Sequence, residues 1–284
     1  MKKEPLPIKT KNLLRRYGLR ARKGLGQHFL IDEEVLDKII AAAGLEKDDF
    51  VIEVGPGLGV LTAELAERAG RVIAIELDDK LAEILKQALS SFENVSVINE
   101  DILKVSVAAL LKEESIGYKV VANLPYYITS PVLRHFLEAD IQPQVMVVMV
   151  QKEVAEEITA KPGKMSLLSI GVQLYGQSEI VEHVPAYCFY PEPEVDSAVL
   201  KVVPYTEAPV EINDREGFFS LVRAGFSAAR KQLPNSLAQG LSIPKADTLS
   251  LLEKAGIEPR RRAETLTIEE WAGLWRIYSK TEGE

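Results

Sequence analysis

The stretch Phe50-Val-Ile-Glu-Val54 runs directly into Gly55-Pro-Gly-Leu-Gly59, and this junction limits the possible folds more than any other feature of the sequence. A run rich in β-branched residues predicts a strand, and helical periodicity resumes over 62–69. Glycines at alternate positions between a strand and a helix allow positive φ and a close approach of a ligand to the backbone. Val72-Ile-Ala-Ile75 follows as a short, wholly apolar run, the pattern of a parallel strand covered on both faces. Helices are expected near 33–43, 79–89, 105–113, 130–138 and 152–160, and strands near 95–98, 119–122 and 144–150. Strands alternating with helices of about ten residues predict an α/β fold with a parallel sheet between helical layers. Two further strands are expected at 167–175 and 195–203, forming an antiparallel edge.

Composition shifts at Val203-Pro-Tyr-Thr-Glu-Ala-Pro-Val210, which reads as a linker, and helices are expected beyond it near 215–228, 231–239, 247–255 and 268–279. In the last of these, Trp271, Leu274, Trp275 and Tyr278 recur at i, i+3, i+4 and i+7, a core stripe. The expected organisation is an arm over 1–23, an α/β domain over 24–203, a linker over 204–210 and a small helical domain over 211–284. Internal repeats and low-complexity segments are not evident.

With 284 residues, 46% of them hydrophobic and 27% charged, the chain can bury a sizeable core. Its single cysteine, Cys188, excludes an intrachain disulfide framework and a cysteine-based zinc cluster. His28, His135 and His183 are too scattered to suggest a dedicated metal site, and no metal requirement is expected. The opening residues lack the apolar run of a secretory signal, and no stretch approaches about 18 apolar residues. A soluble, cytoplasmic protein without a membrane partner is expected, acting as a monomer.

The net charge of −8 argues weakly against a nucleic-acid partner, but its distribution does not. Residues 1–23 carry nine basic side chains (Lys2, Lys3, Lys9, Lys11, Arg15, Arg16, Arg20, Arg22 and Lys23) against Glu4 alone. A basic arm on an acidic body can bind phosphates, because recognition responds to local potential. A solubilising or disordered tail is the competing reading.

Open α/β sheets bind ligands beyond the carboxyl ends of their strands. Glu76 ends the strand after the glycine turn, where a ribose diol could donate to its carboxylate, and Asp101 follows the next strand, toward an adenine. Together these features point to a nucleoside cofactor. The turn is not the dinucleotide spacing G-x-G-x-x-G, and Pro56 occupies a position that motif gives no reason to fill with proline. S-adenosylmethionine is therefore favoured over a nicotinamide dinucleotide. Glu53 has a plainer reading, as a group that ties down the glycine loop.

The chemistry is carried by Asn123-Leu-Pro-Tyr126, directly after the strand at 119–122. Adenine's exocyclic nitrogen is a poor nucleophile because its lone pair is delocalised into the ring. A site that methylates it must accept hydrogen bonds from its two hydrogens and hold it against a methyl donor. The Asn123 side-chain carbonyl offers one acceptor, and the Leu124 carbonyl, freed from a local ladder by Pro125, offers a second. Tyr126 offers a face on which a base can stack. The competing reading is a proline turn beside a buried tyrosine.

These segments resemble the small-subunit (16S) ribosomal RNA adenine N6,N6-dimethyltransferases. The resemblance is carried by Gly24-Leu-Gly-Gln-His-Phe-Leu30, Glu53-Val-Gly-Pro-Gly-Leu-Gly59, Glu76-Leu-Asp78, Asn123-Leu-Pro-Tyr126, Val150-Gln-Lys-Glu-Val154 and Phe189-Tyr-Pro-Glu-Pro-Glu-Val-Asp-Ser197. It continues through Arg230-Lys-Gln-Leu-Pro-Asn-Ser-Leu237 and Arg262-Ala-Glu-Thr-Leu266. It implies a Rossmann-like methyltransferase sheet with a C-terminal helical domain that contacts RNA. It also implies S-adenosylmethionine as cofactor, S-adenosylhomocysteine as product, and dimethylation of two adjacent adenosines near the 3′ end of the small-subunit RNA within a pre-30S particle. His28, Leu30, Gly55, Glu76, Asp101 and Asn123 are the implied cofactor contacts. Asn123, Leu124, Pro125 and Tyr126 are the implied catalytic group, with Phe189 closing the target pocket opposite Tyr126; a core position is the alternative for Phe189.

The chain departs from the family pattern at Ala229-Arg230-Lys231, where Arg-Arg-Lys is common, and at Pro234. Lys164-Met-Ser-Leu-Leu168 also lacks a tyrosine-glycine pair often found there. These lie away from the methyl-transfer residues and bear on ribosomal contacts. Two other functions stand beside this one: a large-subunit RNA adenine methyltransferase of the macrolide-resistance type, which shares the catalytic motif but is not expected to share the whole C-terminal series, and an RNA-binding assembly checkpoint with secondary activity, which would use the same surface.

Overall fold

The glycine turn sits at the carboxyl end of a strand in the middle of a mostly parallel sheet. The computed structural model describes residues 4–19, 21, 26–111, 117–228 and 230–281. Its strands are β1 (Phe29–Leu30), β2 (Phe50–Val54), β3 (Arg71–Glu76), β4 (Val95–Asn99), β5 (Tyr118–Asn123), β6 (Val145–Gln151), β7 (Gly176–Val184), β8 (Phe189–Tyr190) and β9 (Ser197–Pro204). Helices α1 (Leu6–Arg16), α2 (Glu33–Ala43), α3 (Val60–Ala66), α4 (Asp79–Ala88), α5 (Val107–Leu111), α6 (Thr129–Leu137) and α7 (Lys152–Ile158) accompany the sheet. Helices α8 (Leu167–Gln173), α9 (Arg215–Phe226), α10 (Leu233–Leu241), α11 (Lys245–Lys254) and α12 (Ile268–Thr281) complete the set.

Contacts divide the chain into two units, Met1–Ala155 with Gln177–Pro204, and Glu156–Gly176 with Tyr205–Glu284. A contiguous split at 203/204 therefore does not describe the fold, because residues 156–176 cluster with the C-terminal helices. Backbone bonds explain why: Gly163 and Met165 both donate to the Glu264 carbonyl (2.8 and 3.1 Å), and Tyr205 donates to that of Tyr175 (2.9 Å).

In the first unit the sheet order is β4-β3-β2-β5-β6-β9-β7. Strands β2 to β6 pair in parallel, and β9 runs antiparallel to β6 with Met149 opposite Val199. The central strands are buried without alternation, Val51, Ile52, Val120, Val121 and Val148 included, as helices on both faces require. The chain builds outward from β2 through β3 to β4, then returns to the other side of β2 with β5. Strand order thus reverses between β2 and β5, where α/β sheets open a crevice for ligands. Helix α2 begins on Asp32, whose Oδ1 accepts from Val35 N (3.0 Å), and ends at Gly44 in the left-handed region. Asp78 caps α4 by accepting from Lys80 and Leu81 N–H. Helix α1 buries Leu6, Thr10 and Leu14 and leaves Lys11, Arg15 and Arg16 exposed. Of the basic arm, Lys2, Lys3, Arg20, Arg22 and Lys23 lie outside the described residues, as do Gly24, Leu25 and Ala229 of the family motifs.

The second unit is built on a helical core of Phe218, Leu221, Leu233, Leu237, Leu252, Trp271 and Leu274, all fully buried. The expected core stripe is seen in Trp271, Leu274 and Trp275. Helices α9 and α10 approach so closely that a Cβ at Gly240 would collide with the Ala224 backbone.

Most expected elements are present, with one exchange. The strand expected at 167–175 is instead α8, opened by a capping box in which Ser166 Oγ accepts from Leu168 and Ser169 N–H. An apolar run of this length fits a strand or a buried helical turn equally well; the Ser166–Ser169 pair decides for helix. The neighbouring edge strand is β7, whose alternation of exposed and half-buried residues, most of them polar, disguised it.

Candidate active site

A cavity of about 320 Å³ opens at the carboxyl ends of β2, β3 and β5. Its floor is the glycine turn. Gly55, Gly57 and Gly59 all have positive φ (66°, 59° and 75°), so backbone stands where side chains would otherwise intrude. A Cβ at Gly55 would lie 3.4 Å from Pro125 Cδ, and one at Gly57 would press to 3.2 Å of the Phe29 ring. Residues 26–30 thus lie over the turn. Strand β1 is held there by β8, with Leu30 opposite Phe189 and Phe29 opposite Tyr190.

Acidic groups line the same cavity. Glu76, at the end of β3, accepts from Gly57 N (3.2 Å) and Asp78 N (2.9 Å), which ties the turn to the neighbouring strand. A carboxylate has about four acceptor positions, so capacity remains for a ligand. Burial raises the Glu76 carboxyl above the ordinary range, and its backbone hydrogen bonds oppose the shift. Glu53 is almost wholly buried in the wall, and its Oε2 has no hydrogen-bond partner among the described residues. Burial pushes its carboxyl up to about 8, with the Glu76 charge acting in the same direction and the nearby Thr62 hydroxyl opposing. Asp101 caps a turn at Ile102–Lys104 by accepting from Leu103 N (3.1 Å), and it lines the cavity beside Ile102 and Leu103.

At the end of β5, Asn123 donates from Nδ2 to the His28 carbonyl (3.1 Å). That bond orients the amide, and Oδ1 has no partner among the described residues. Leu124 donates its N–H to the Met149 carbonyl (3.2 Å), while its own carbonyl receives no backbone bond among the described residues. Two acceptors are therefore available at adjacent residues. Tyr126 is half-buried, and its hydroxyl is hydrogen-bonded to Ser197 Oγ at 2.7 Å. Its ring lies nearly parallel to that of His28, with centroids 5.9 Å apart.

His28, Leu30, Gly55, Glu76, Asp101, Asn123, Leu124, Pro125 and Tyr126 all line this one cavity. Phe189 does not. It is 3% exposed and packs in an apolar cluster with Leu30, Val35, Leu36 and Cys188, the core position that was its alternative reading. Phe29 and Glu53 line the cavity without having been assigned a ligand role; Phe29 lies inside the His28–Leu30 motif and was recoverable from its place there. Cys188, behind β8, is buried, and burial raises its thiol to about 11, so it is inert as a nucleophile. Among the described residues, no group of three or more His, Cys, Asp or Glu side chains could hold a metal ion, and no helix is long and apolar enough to cross a membrane.

The cradle fits S-adenosylmethionine. Glycines clear the backbone, buried acceptors at Glu53 and Glu76 can meet amino and hydroxyl donors, and Ile102 and Leu103 give an apolar bed for a purine. A glycine-floored nucleoside crevice beside two free acceptors and an aromatic face defines an S-adenosylmethionine-dependent amino-group methyltransferase. Comparison with known proteins narrows the class: residues 18–280 match the ribosomal RNA adenine dimethylase family, and the chain belongs to it. It is 54% identical over 97% of its length to a ribosomal RNA small subunit methyltransferase A of Dehalococcoides mccartyi, covering 94% of that protein. A protein of the same name from Geobacillus thermodenitrificans is 45% identical, with 94% of each chain covered. Among solved structures, a dimethyladenosine transferase from Plasmodium falciparum aligns with a TM-score of 0.77 at 27% identity, covering 90% of this chain and 98% of that one. The 23S rRNA methyltransferase ErmE aligns with a TM-score of 0.69 at 30% identity, covering 88% and 99%. The chain is an S-adenosylmethionine-dependent ribosomal RNA adenine methyltransferase.

Proposed function

We propose that this enzyme dimethylates two adjacent adenosines near the 3′ end of small-subunit ribosomal RNA, late in subunit assembly and in the cytoplasm. The observation that carries the chemistry is the pair of unpartnered acceptors, Asn123 Oδ1 and the Leu124 carbonyl, at the end of β5. An exocyclic amino group has two hydrogens, and these acceptors meet both. They hold the nitrogen in place and stabilise the positive charge that grows on it. Tyr126 supports the base by stacking, and Pro125 keeps the Leu124 carbonyl out of a ladder. Glu76 takes the ribose of the cofactor, Asp101 its adenine, and His28 and Leu30 cover it. When bound, S-adenosylmethionine supplies an electrophilic methyl group. No strong base is needed before transfer, since the methylated nitrogen is cationic and its proton acidic. Positioning and exclusion of water supply the rate.

The preference for small-subunit RNA is supported by near full-length likeness to proteins named for that substrate. Likeness to ErmE keeps large-subunit RNA as the second reading. Labelled methyl transfer to unmethylated small subunits, large subunits and naked RNA separates them. Labelling of small subunits supports the proposal, and labelling confined to large-subunit RNA sinks it.

A further inference from the structure

Two rings stand at the mouth of the base site, and one segment holds both. Ser197 opens β9 opposite Gln151 and is fully buried, followed by Ala198, Val199 and Leu200, which are also fully buried. A hydroxyl in such a strand loses its hydration and must regain a hydrogen bond. The bond at Ser197 is the 2.7 Å contact to the Tyr126 hydroxyl. At the other end of the segment, the Pro191 carbonyl lies 2.7 Å from His28 Nδ1. A carbonyl only accepts, so Nδ1 carries a proton and the imidazole is fixed in its plane. The rings so held stack at 16° to one another. Phe189, at the head of the segment, is in the core and does not line the cavity.

We infer that residues 189–197 shape the adenine-binding surface from behind, with Ser197 as the positioning residue that fixes the Tyr126 ring and the Pro191 carbonyl fixing His28 beside it. A tyrosine ring swings about its Cα–Cβ bond, so a bond at the hydroxyl, the point farthest from that pivot, restricts the swing most. Fixing the ring before the base arrives removes an ordering cost from binding. The segment thus sets the stacking surface without lining it. The inference rests on the reading that Tyr126 stacks the target base; it does not depend on which ribosomal RNA carries that base.

The test is a double-mutant cycle of Ser197→Ala and Tyr126→Phe, with Tyr126→Ala alongside, on whichever ribosomal RNA the wild-type enzyme labels. Tyr126→Phe keeps the ring and removes one oxygen, so it reports even if Ser197→Ala folds poorly. Each single change should raise the RNA concentration for half-maximal transfer by about fivefold, the worth of one hydrogen bond, with cofactor affinity unchanged. The double variant should be no worse than either single one, because both remove the same bond. Losses that multiply to about 25-fold would mean independent roles and overturn the inference. So would wild-type RNA dependence in Tyr126→Phe beside an impaired Tyr126→Ala, which leaves stacking intact and the tether idle. If Tyr126→Ala is itself unimpaired, the stacking reading fails and the inference falls with it. A wild-type enzyme that labels only large-subunit RNA refutes the small-subunit assignment alone, and the cycle on that RNA still decides.

Discussion

Replacing Asn123 separates two jobs that the structure gives to one amide. Its Nδ2 tethers the His28 carbonyl at 3.1 Å, and its Oδ1 is the free acceptor for the adenine amino group. Asn123→Ala removes both. The tether is a half-buried neutral hydrogen bond worth about 1 kcal/mol, which lowers the melting temperature by about 2–4 °C. The acceptor strengthens as positive charge develops on the nitrogen, so its loss falls on the transition state. By comparison with removal of a positioned oxyanion donor, that loss is about 3–4 kcal/mol, or about 10²–10³ in rate. Asn123→Asp distinguishes the two contributions: it keeps an oxygen for the amino group but sets a second one against the His28 carbonyl. Single-turnover methylation at saturating cofactor and RNA should therefore show Asp well above Ala, although Asp lowers the melting temperature more, because its second oxygen is repelled by the His28 carbonyl that Ala merely leaves untethered. Folded Asn123→Ala that transfers methyl groups at nearly the wild-type rate would refute the acceptor role. Equal, large losses in both variants would assign the effect to the tether.

Three further outcomes follow from the geometry. Burial holds the Glu53 carboxyl at about 8 against an ordinary value of 4.5, so between these values the unfolded chain is ionised while the folded one keeps its proton. Stability of the cofactor-free protein should then fall as pH rises through that window; denaturant unfolding from about pH 5 to about pH 8 should be flatter for Glu53→Gln, and identical slopes would contradict the assignment. Gly57→Ala places a Cβ against Phe29 at a φ of 59°; left-handed strain of about 1–2 kcal/mol and displacement of the covering segment should weaken cofactor binding by calorimetry, and unchanged affinity would contradict the cradle. Joint replacement of Lys9, Lys11, Arg15 and Arg16 by glutamine should reduce the salt dependence of RNA binding, by up to about 0.7–0.9 in slope per lost phosphate contact. An unchanged slope makes the arm a solubilising tail.

The sheet was legible because its signals are local. Continuous apolar runs at 50–52, 72–75 and 120–122 mark covered strands, and the spacing of Gly55, Gly57 and Gly59 marks the crevice. Site residues at strand ends, Glu76, Asp101 and Asn123, were legible for the same reason: strand order places strand ends together. The place of Phe189 in the apolar cluster was not legible, because the cluster and the two-residue ladder to Leu30 join residues far apart in sequence. The Ser197–Tyr126 and Pro191–His28 contacts are hidden likewise, each spanning a long stretch of chain with no periodic trace. Residues 156–176 were taken as part of the α/β layer, but the bonds to Glu264 that place them with the C-terminal helices leave no mark on their own composition.

Mapping the methylated bases tests the central claim most directly. Small and large subunits from cells lacking this enzyme would be treated with it and S-adenosylmethionine, and the RNA digested and read by mass spectrometry. The account predicts two adjacent N6,N6-dimethyladenosines near the 3′ end of the small-subunit RNA, lost together in Asn123→Ala. A single dimethyladenosine in large-subunit RNA, with the small subunit unmodified, would contradict it.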